Sequence, residues 1–117
     1  MKIAFDVDDT LWMVVRDKKN PSYGRQVPDY DLIQVLKWFY NNGDTLYIWS
    51  AGGVEYAQQI AEKLGIAHML TAIPKVALGD DSNPYKIDIA FDDCETKLAK
   101  VDVLIKRGVE EVDKDNL

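Results

Sequence analysis

The sequence predicts an α/β fold with a central parallel sheet of about five strands and helices on both faces. Short apolar runs rich in strand-forming residues alternate with segments of helical periodicity, which is typical of a parallel sheet. Most of these runs end abruptly in acidic, hydroxyl or basic side chains, as strands do at the ligand-binding edge of such a sheet. We therefore expect a three-layer, Rossmann-like arrangement.

Length and composition indicate one globular domain over residues 1–117. An apolar content of 47% and an aromatic content of 10% are sufficient for a single core. The net charge of −6 disfavours non-specific binding to nucleic acid. No apolar run approaches the roughly 20 residues that cross a bilayer, and no signal segment precedes the first strand, so we expect no membrane contact.

The chain has one cysteine, Cys94, which follows two aspartates. A lone cysteine cannot form an internal disulfide, which favours a reducing, cytoplasmic location. Neighbouring anions raise the pKa of a thiol, so we expect Cys94 to pack and not to react.

The first strand, Ile3 to Phe5, runs directly into three acidic residues within four positions. The segment that follows is polar and contains the turn-forming sequence Asn-Pro-Ser-Tyr-Gly at 20–24. It predicts a short hairpin over about residues 12–27, here called the flap, which stands above the end of the first strand. Trp12 and Tyr23 of the flap are candidates for contact with a substrate.

Helices and further strands alternate after the flap. The first helix is expected to begin at Pro28-Asp29 and to stop at Asn42-Gly43, and the second follows a small-residue turn and ends before Gly65. A short helix is expected around Glu95 to Lys100, and the charged segment from Lys106 to Leu117 is expected to be loosely held. The remaining strands are expected at 45–49, 69–73, 87–91 and 101–105.

Polar side chains follow four of these strands and would meet at one edge of a parallel sheet. Carboxylates from two separate strands form the hard oxygen environment that Mg²⁺ prefers. A hydroxyl at a helix start and a lysine suit a phosphoryl group. Aspartate can attack phosphorus when a cation shields it, and a second aspartate two residues away can handle the proton. The residues concerned are Asp6, Asp8, Ser50, Lys75, Asp92 and Asp93.

These residues resemble the four ordered motifs of the haloacid dehalogenase-like superfamily of phosphohydrolases. The first motif corresponds to Phe-Asp-Val-Asp-Asp-Thr-Leu at 5–11, and it is highly specific. The second corresponds to Leu-Tyr-Ile-Trp-Ser at 46–50, the third to a lysine, and the fourth to Ile-Ala-Phe-Asp-Asp at 89–93. These three are individually weak and gain force from their order and spacing.

The resemblance implies an enzyme, a Mg²⁺-dependent phosphatase that acts through a covalent aspartyl-phosphate. By it, Asp6 is the nucleophile and Asp8 is the general acid that later becomes the base. Ser50, Ala51 and the lysine hold the phosphoryl oxygens.

The resemblance also implies a set of metal ligands. Asp6, Asp92 and the backbone carbonyl of Asp8 would bind Mg²⁺, with Asp93 as an additional ligand or a neighbour of the ligands. Thr10 would steady the turn after the first strand by local hydrogen bonding.

Two assignments have rivals in the sequence. Lys86 lies nearer the fourth motif than Lys75, but it begins a strand and would lie roughly 17 Å from that strand's functional end, so Lys75 is preferred. Asp80-Asp81 also follows a short apolar run, but Pro74 and Gly79 leave that run too short for a strand, and a turn is expected there.

Neither interval between motifs has room for a cap domain, so the resemblance is to the small, capless type. We expect a site open to large phosphorylated substrates of unknown identity, unless a second copy of the chain covers it. A receiver-like phospho-accepting module is the alternative, but its phosphorylated aspartate would follow the third strand, where this chain has Pro74-Lys75. A non-catalytic metal-binding or interaction domain is disfavoured because both Asp6 and Asp8 are present.

Overall fold

A five-stranded parallel sheet forms the centre of the protein in the computed structural model, which describes residues 1–20, 24–76, 84–106 and 110–112. Two helices accompany it, so the described chain is an α/β fold consistent with the Rossmann-like expectation. The elements are β1 (Lys2–Asp6), β2 (Trp12–Asp17), β3 (Gly24–Pro28), α1 (Tyr30–Asn41), β4 (Thr45–Trp49), α2 (Val54–Lys63), a 3-10 turn (Ala67–Met69), β5 (Thr71–Ala72), β6 (Ile89–Asp92), β7 (Val101–Leu104) and β8 (Glu110–Val112).

The central sheet has the strand order β5-β4-β1-β6-β7, with β1 in the middle. β1 pairs in parallel with β4 on one side and with β6 on the other. The predicted five strands are therefore found, although β5 is limited to two residues. Because all five run in one direction, their carboxyl ends share one edge of the sheet.

Both helices pack on the same face of the sheet. Ile3 and Phe5 of β1 point to this face and are fully buried with Leu36 of α1 and Ile60 of α2. The ring of Phe5 stacks on the ring of Phe91 in β6, with 4.8 Å between centroids and 3° between planes. Aromatic stacking between neighbouring strands thus fixes the register beside the functional edge.

The opposite face of the sheet is covered without a helix in the described part of the chain. Ala4 and Trp49 point to this side and pack with Ile87, Tyr85 and Leu98, which lie in irregular segments. The expectation of helices on both faces is therefore not met among these residues.

The helix expected around Glu95 to Lys100 is wrong, because side chains compete for the backbone donors there. The carboxylate of Asp102 accepts hydrogen bonds from the hydroxyl of Thr96, at 2.8 Å, and from the backbone of Lys97, at 3.0 Å. Lys97 has a φ of 56°, which a right-handed helix does not allow. These contacts replace helical hydrogen bonds with a compact turn before β7.

The ends of α1 and α2 agree with the sequence. The side chain of Asp29 caps α1 by accepting a hydrogen bond from the backbone of Leu32 at 3.0 Å. Gly53 precedes α2 with a φ of 102°, a conformation that other residues rarely adopt. Gly65 follows α2 with a φ of 72°, as expected for a glycine beyond a helix end.

The flap is the hairpin that the sequence predicts. β2 and β3 pair antiparallel, and the backbone of Asp29 donates to Leu11 at 2.9 Å to close the base of the flap. β8 extends it to a three-stranded sheet by pairing in parallel with β2, within a segment where no strand was expected. Tyr23, Asp80-Asp81 and residues 107–109 and 113–117 lie outside the described residues.

The helices of the described residues are too short to cross a membrane: α1 has 12 residues and α2 has 10.

Candidate active site

The register of the central sheet brings three polar strand ends together. Phe5 pairs with Phe91, so the residues that follow them, Asp6 and Asp92, leave the sheet side by side. Asp6 also pairs with Trp49, which places Ser50 immediately beyond the neighbouring strand. The sequence predicts this meeting of strand ends, and the side chains of Asp6, Ser50 and Asp92 are all buried.

Lys75 joins two of these carboxylates. Its Nζ lies 2.7 Å from Oδ2 of Asp92 and 3.2 Å from Oδ1 of Asp6. The side chain of Lys75 is 17% exposed, and those of Asp6 and Asp92 are 8% and 1% exposed. The lysine therefore shares one positive charge between two carboxylates that are almost out of water.

Lys86, the rival lysine, lies at the other end of the sheet. It is exposed, and two residues later the carboxylate of Asp88 accepts a hydrogen bond from the backbone of Lys2 at 2.8 Å. Lys2 begins β1, whereas Asp6 ends it. The strand-direction argument thus agrees with the contacts of both lysines.

The pKa values of Asp6, Lys75 and Asp92 reflect their burial and one another's charges. Burial raises the pKa of Asp6, and the charge of Asp92 adds to the rise, while Lys75 and Thr10 oppose it. Burial would also raise the pKa of Asp92, but its hydrogen bonds and the charge of Lys75 bring it below the ordinary value. Burial would lower the pKa of Lys75, yet both carboxylates hold it above its usual range. Lys75 and each carboxylate therefore favour one another's charged forms, whereas the charge of Asp92 opposes the ionisation of Asp6.

Negative charge is in excess around Asp93. Burial, a hydrogen bond to Asp92 and the charges of Asp6 and Asp92 raise the pKa of Asp93 to about 6. The single ammonium of Lys75 does not neutralise three neighbouring carboxylates, and Asp93 responds by holding a proton more tightly.

Cys94 lies beside the same carboxylates, and the expected packing role is wrong because the residue is exposed. Its backbone and its thiol both donate to Oδ1 of Asp92, at 3.2 and 3.4 Å. The hydrogen bond to Asp92 and the charge of that carboxylate raise the pKa of the Cys94 thiol, in the direction that the sequence predicts.

The loop after β1 is a tight turn that folds back on the strand end. The carbonyl of Val7 accepts backbone hydrogen bonds from residues 10, 11 and 12, at 3.2, 3.0 and 3.4 Å. Asp9 adopts a φ of 57°, which aspartate tolerates better than most residues. The turn returns Thr10 to Asp6, and the Thr10 hydroxyl donates to Oδ2 of Asp6 at 3.2 Å. Thr10 therefore orients the Asp6 carboxylate as well as steadying the turn.

The side chain of Asp8 contacts the flap and α2. Its Oδ1 accepts hydrogen bonds from the indole Nε1 of Trp12, at 3.1 Å, and from the hydroxyl of Tyr56, at 2.7 Å. Burial, the hydrogen bond to Asp8 and the charge of Asp8 raise the pKa of Tyr56 to about 12. Trp12 is buried and contacts Asp8, whereas Tyr56 was not singled out from the sequence. Tyr56 is the third residue of α2, shortly after the second motif, and this position is the only feature of the sequence that could have pointed to it.

Ser50 is held by the turn before α2. Its Oγ accepts a hydrogen bond from the backbone of Gly52 at 3.0 Å, which leaves the hydroxyl hydrogen available to donate. A side chain at Gly52 would meet Tyr56 at 3.0 Å and the Ser50 hydroxyl at 3.3 Å. Ala51, expected at the phosphate site, is exposed in this turn.

The chemistry of the donor set fits a divalent cation with hard oxygen ligands. Asp6 and Asp92 come from adjacent strands, and the raised pKa of Asp93 marks negative charge that a cation would offset. Ligand atoms of Asp92, Asp93 and Cys94 lie within 4.8 Å of one another, but a thiol is a poor ligand for Mg²⁺. The fit therefore rests on the carboxylates.

Comparisons of the chain with protein-family models, with curated proteins and with solved structures found no match.

Proposed function

We propose that this protein is a haloacid dehalogenase-like, Mg²⁺-dependent phosphomonoester hydrolase that works through an aspartyl-phosphate on Asp6. The observation that carries the proposal is the position of Lys75 between Asp6 and Asp92, at the shared edge of β1 and β6. A partly buried lysine between two carboxylates suits a site that must hold an anion against its own negative charge. The proposal includes a three-layer, Rossmann-like architecture, whose second outer layer consists of the irregular segments around Ile87 and Leu98.

Asp6 is the nucleophile in this proposal. One of its carboxylate oxygens attacks phosphorus, and the bond between phosphorus and the ester oxygen breaks with its electron pair going to that oxygen. Lys75 and Thr10 hold the carboxylate in place by hydrogen bonds and keep its charged form accessible despite burial. The hydroxyl of Ser50 and the amide of Ala51 would receive the phosphoryl oxygens beside Asp6.

Asp8 moves the protons. It gives its proton to the departing ester oxygen, and the resulting carboxylate then takes a proton from the water that attacks the phosphorylated Asp6. The bond between phosphorus and the Asp6 oxygen breaks, inorganic phosphate leaves, and Asp6 returns to its carboxylate form. Asp6 ends β1 and Asp8 lies in the tight turn that follows it, so one local structure sets their separation.

The carboxylates of Asp6 and Asp92, the backbone carbonyl of Asp8 and the side chain of Asp93 would hold Mg²⁺. When bound, the cation supplies shielding between the anionic nucleophile and the anionic substrate. Its binding would lower the pKa of Asp93, which the neighbouring carboxylates raise in the metal-free site.

The open edge of the sheet suits an extended phosphorylated substrate. In the described residues, the flap and the turn before α2 are the elements that approach Asp8 and Ser50, and α2 follows β4 directly without an intervening domain. We propose no particular carrier of the phosphate.

Hydrolysis of an aryl phosphate by the parent protein, with and without Mg²⁺, tests this proposal. We expect Mg²⁺-dependent release of phosphate that Asp6→Asn reduces by at least about 10³-fold, because the amide is a poor nucleophile. Asp6→Asn keeps the side-chain shape, and its unfolding midpoint verifies that the fold survives. Activity that persists in Asp6→Asn, or that needs no divalent cation, would contradict the mechanism.

A further inference from the structure

We propose that Tyr56 and Trp12 are positioning residues for Asp8, and that they direct proton transfer through its Oδ2 oxygen. The inference rests on the proposed phosphohydrolase function and assigns a role to two residues outside the four motifs. Asp8 is otherwise an exposed side chain on a short turn, where a carboxylate would sample several rotamers.

Both residues donate to the same atom. The indole Nε1 of Trp12 reaches Oδ1 of Asp8 at 3.1 Å, and the hydroxyl of Tyr56 reaches it at 2.7 Å. An indole nitrogen is a donor only, so the oxygen that faces it must act as an acceptor. Oδ1 is thereby kept free of the transferable proton, and Oδ2, which neither donor engages, carries it.

The two donors belong to different parts of the fold. Trp12 starts the flap, and the turn around the Val7 carbonyl brings it back to Asp8. The backbone N–H of Trp12 itself donates to that carbonyl at 3.4 Å. Tyr56 lies in the first turn of α2, 48 positions after Asp8. Contacts from two independently anchored elements fix the plane of a carboxylate better than either contact alone.

The surroundings of Tyr56 support a defined position for its ring. Gly52 leaves just enough space, since a side-chain carbon there would meet the ring at 3.0 Å. Gln26 of β3 and Trp12 of β2 both interact with the Tyr56 hydroxyl, opposing the rise of its pKa. The hydroxyl thus lies between α2 and both strands of the flap, and it donates its hydrogen to Asp8.

A misplaced general acid slows the hydrolysis of some esters more than that of others, and this difference provides the test. A nitrophenol leaves without much help because its anion is stable, whereas an alkyl alcohol must be protonated as it departs. The ratio kcat/KM reports the step in which phosphate moves to Asp6, and therefore the step that uses the acid. Loss of a donor should lower kcat/KM for an alkyl phosphate far more than for nitrophenyl phosphate.

The experiment measures kcat/KM for both esters, with Mg²⁺, in the parent, Tyr56→Phe, Trp12→Phe and Asp8→Asn. Tyr30→Phe is the matched control, since it removes an exposed hydroxyl from α1. We expect Tyr56→Phe and Trp12→Phe to lower kcat/KM by about tenfold for the alkyl ester and by less than about twofold for the nitrophenyl ester. Asp8→Asn should show the same preference more strongly, and Tyr30→Phe should match the parent.

The inhibition constant of inorganic phosphate separates positioning from substrate binding, and it should be unchanged in Tyr56→Phe. Equal losses on the two esters, no loss, or weaker inhibition by phosphate would overturn the positioning role while leaving the hydrolase function intact. A parent protein that hydrolyses neither ester would overturn both proposals. Trp12 is buried, so its replacement can destabilise the fold. If Trp12→Phe does not fold, the result for Tyr56→Phe alone tests the positioning role.

Discussion

Replacement of Lys75 by methionine is the sharpest test of the charge arrangement at the sheet edge. The substitution keeps the length of the side chain and removes the ammonium that lies 2.7 Å from Asp92 and 3.2 Å from Asp6. Opposite charges about 3 Å apart attract by about 5 kcal/mol at an effective dielectric constant of about 20. Desolvation of the three charged groups cancels much of this attraction, and we expect a net loss of about 3 kcal/mol in the free energy of unfolding.

The loss should depend on pH in a defined direction. Without Lys75, the pKa values of Asp6 and Asp92 both rise, because the lysine lowers each of them in the parent. A folded state with raised carboxyl pKa values takes up protons that the unfolded chain does not, so acid stabilises the variant relative to the parent. The difference in unfolding free energy should therefore be largest near neutral pH, and it should shrink as the pH falls towards the ordinary aspartate value of 3.8.

Urea unfolding between pH 4 and 8, with and without Mg²⁺, measures this difference, and phosphate release from an aryl ester measures the activity. We expect Lys75→Met to lose about 10²–10³-fold in activity, as other enzymes do without one anion-stabilising group. Lys86→Met is the control, because Lys86 is exposed at the opposite end of the sheet, and it should change stability by less than about 0.5 kcal/mol. A larger effect of Lys86→Met, or a deficit in Lys75→Met that grows in acid, would refute the reasoning.

Two further predictions concern stability away from the reacting groups. Asp29→Ala removes the cap of α1 and should lower the free energy of unfolding in urea by about 1 kcal/mol while activity is retained. Asp31→Ala, in the same first turn, is the control and should lower it by less. Equal effects of the two substitutions would rule out the capping role. Asp88→Ala should lower the unfolding midpoint at neutral pH. The hydrogen bond from the backbone of Lys2, and then Lys100, lowers the pKa of Asp88 from its ordinary value of 3.8. Asp88 therefore contributes to the free energy of unfolding above pH 3.8, and this contribution is lost as the pH falls through the lowered pKa. A midpoint difference that persists unchanged into stronger acid would contradict this.

Strand ends were the most predictable feature of this protein. Asp6, Ser50 and Asp92 each follow an apolar run, and a parallel sheet has one edge where such residues meet. The direction of the strands also sufficed to choose Lys75 over Lys86 as the lysine that contacts the carboxylates. These predictions depend on backbone topology, which the hydrophobic pattern determines well.

Features that depend on side-chain hydrogen bonds could not be predicted from the pattern. The segment around Thr96 has helix-compatible residues, but Asp102 captures its donors and Lys97 takes a positive φ. The contact of Tyr56 with Asp8 joins positions 48 apart, and no local spacing predicts it. β8 was missed because three residues in a charged segment become a strand only when the edge of β2 is available.

The pairing of β8 with β2 has a consequence for how the protein is made. Val15 lies beside Glu110, 95 positions later in the chain, so the flap sheet is closed by the last of the described elements to be synthesised. A nascent chain can assemble β1, α1 and β4 while the outer edge of β2 still lacks its partner. Contacts between such distant segments form slowly, because a long loop must close first. During that interval the exposed edge of β2 is where a neighbouring unfinished chain can add a strand.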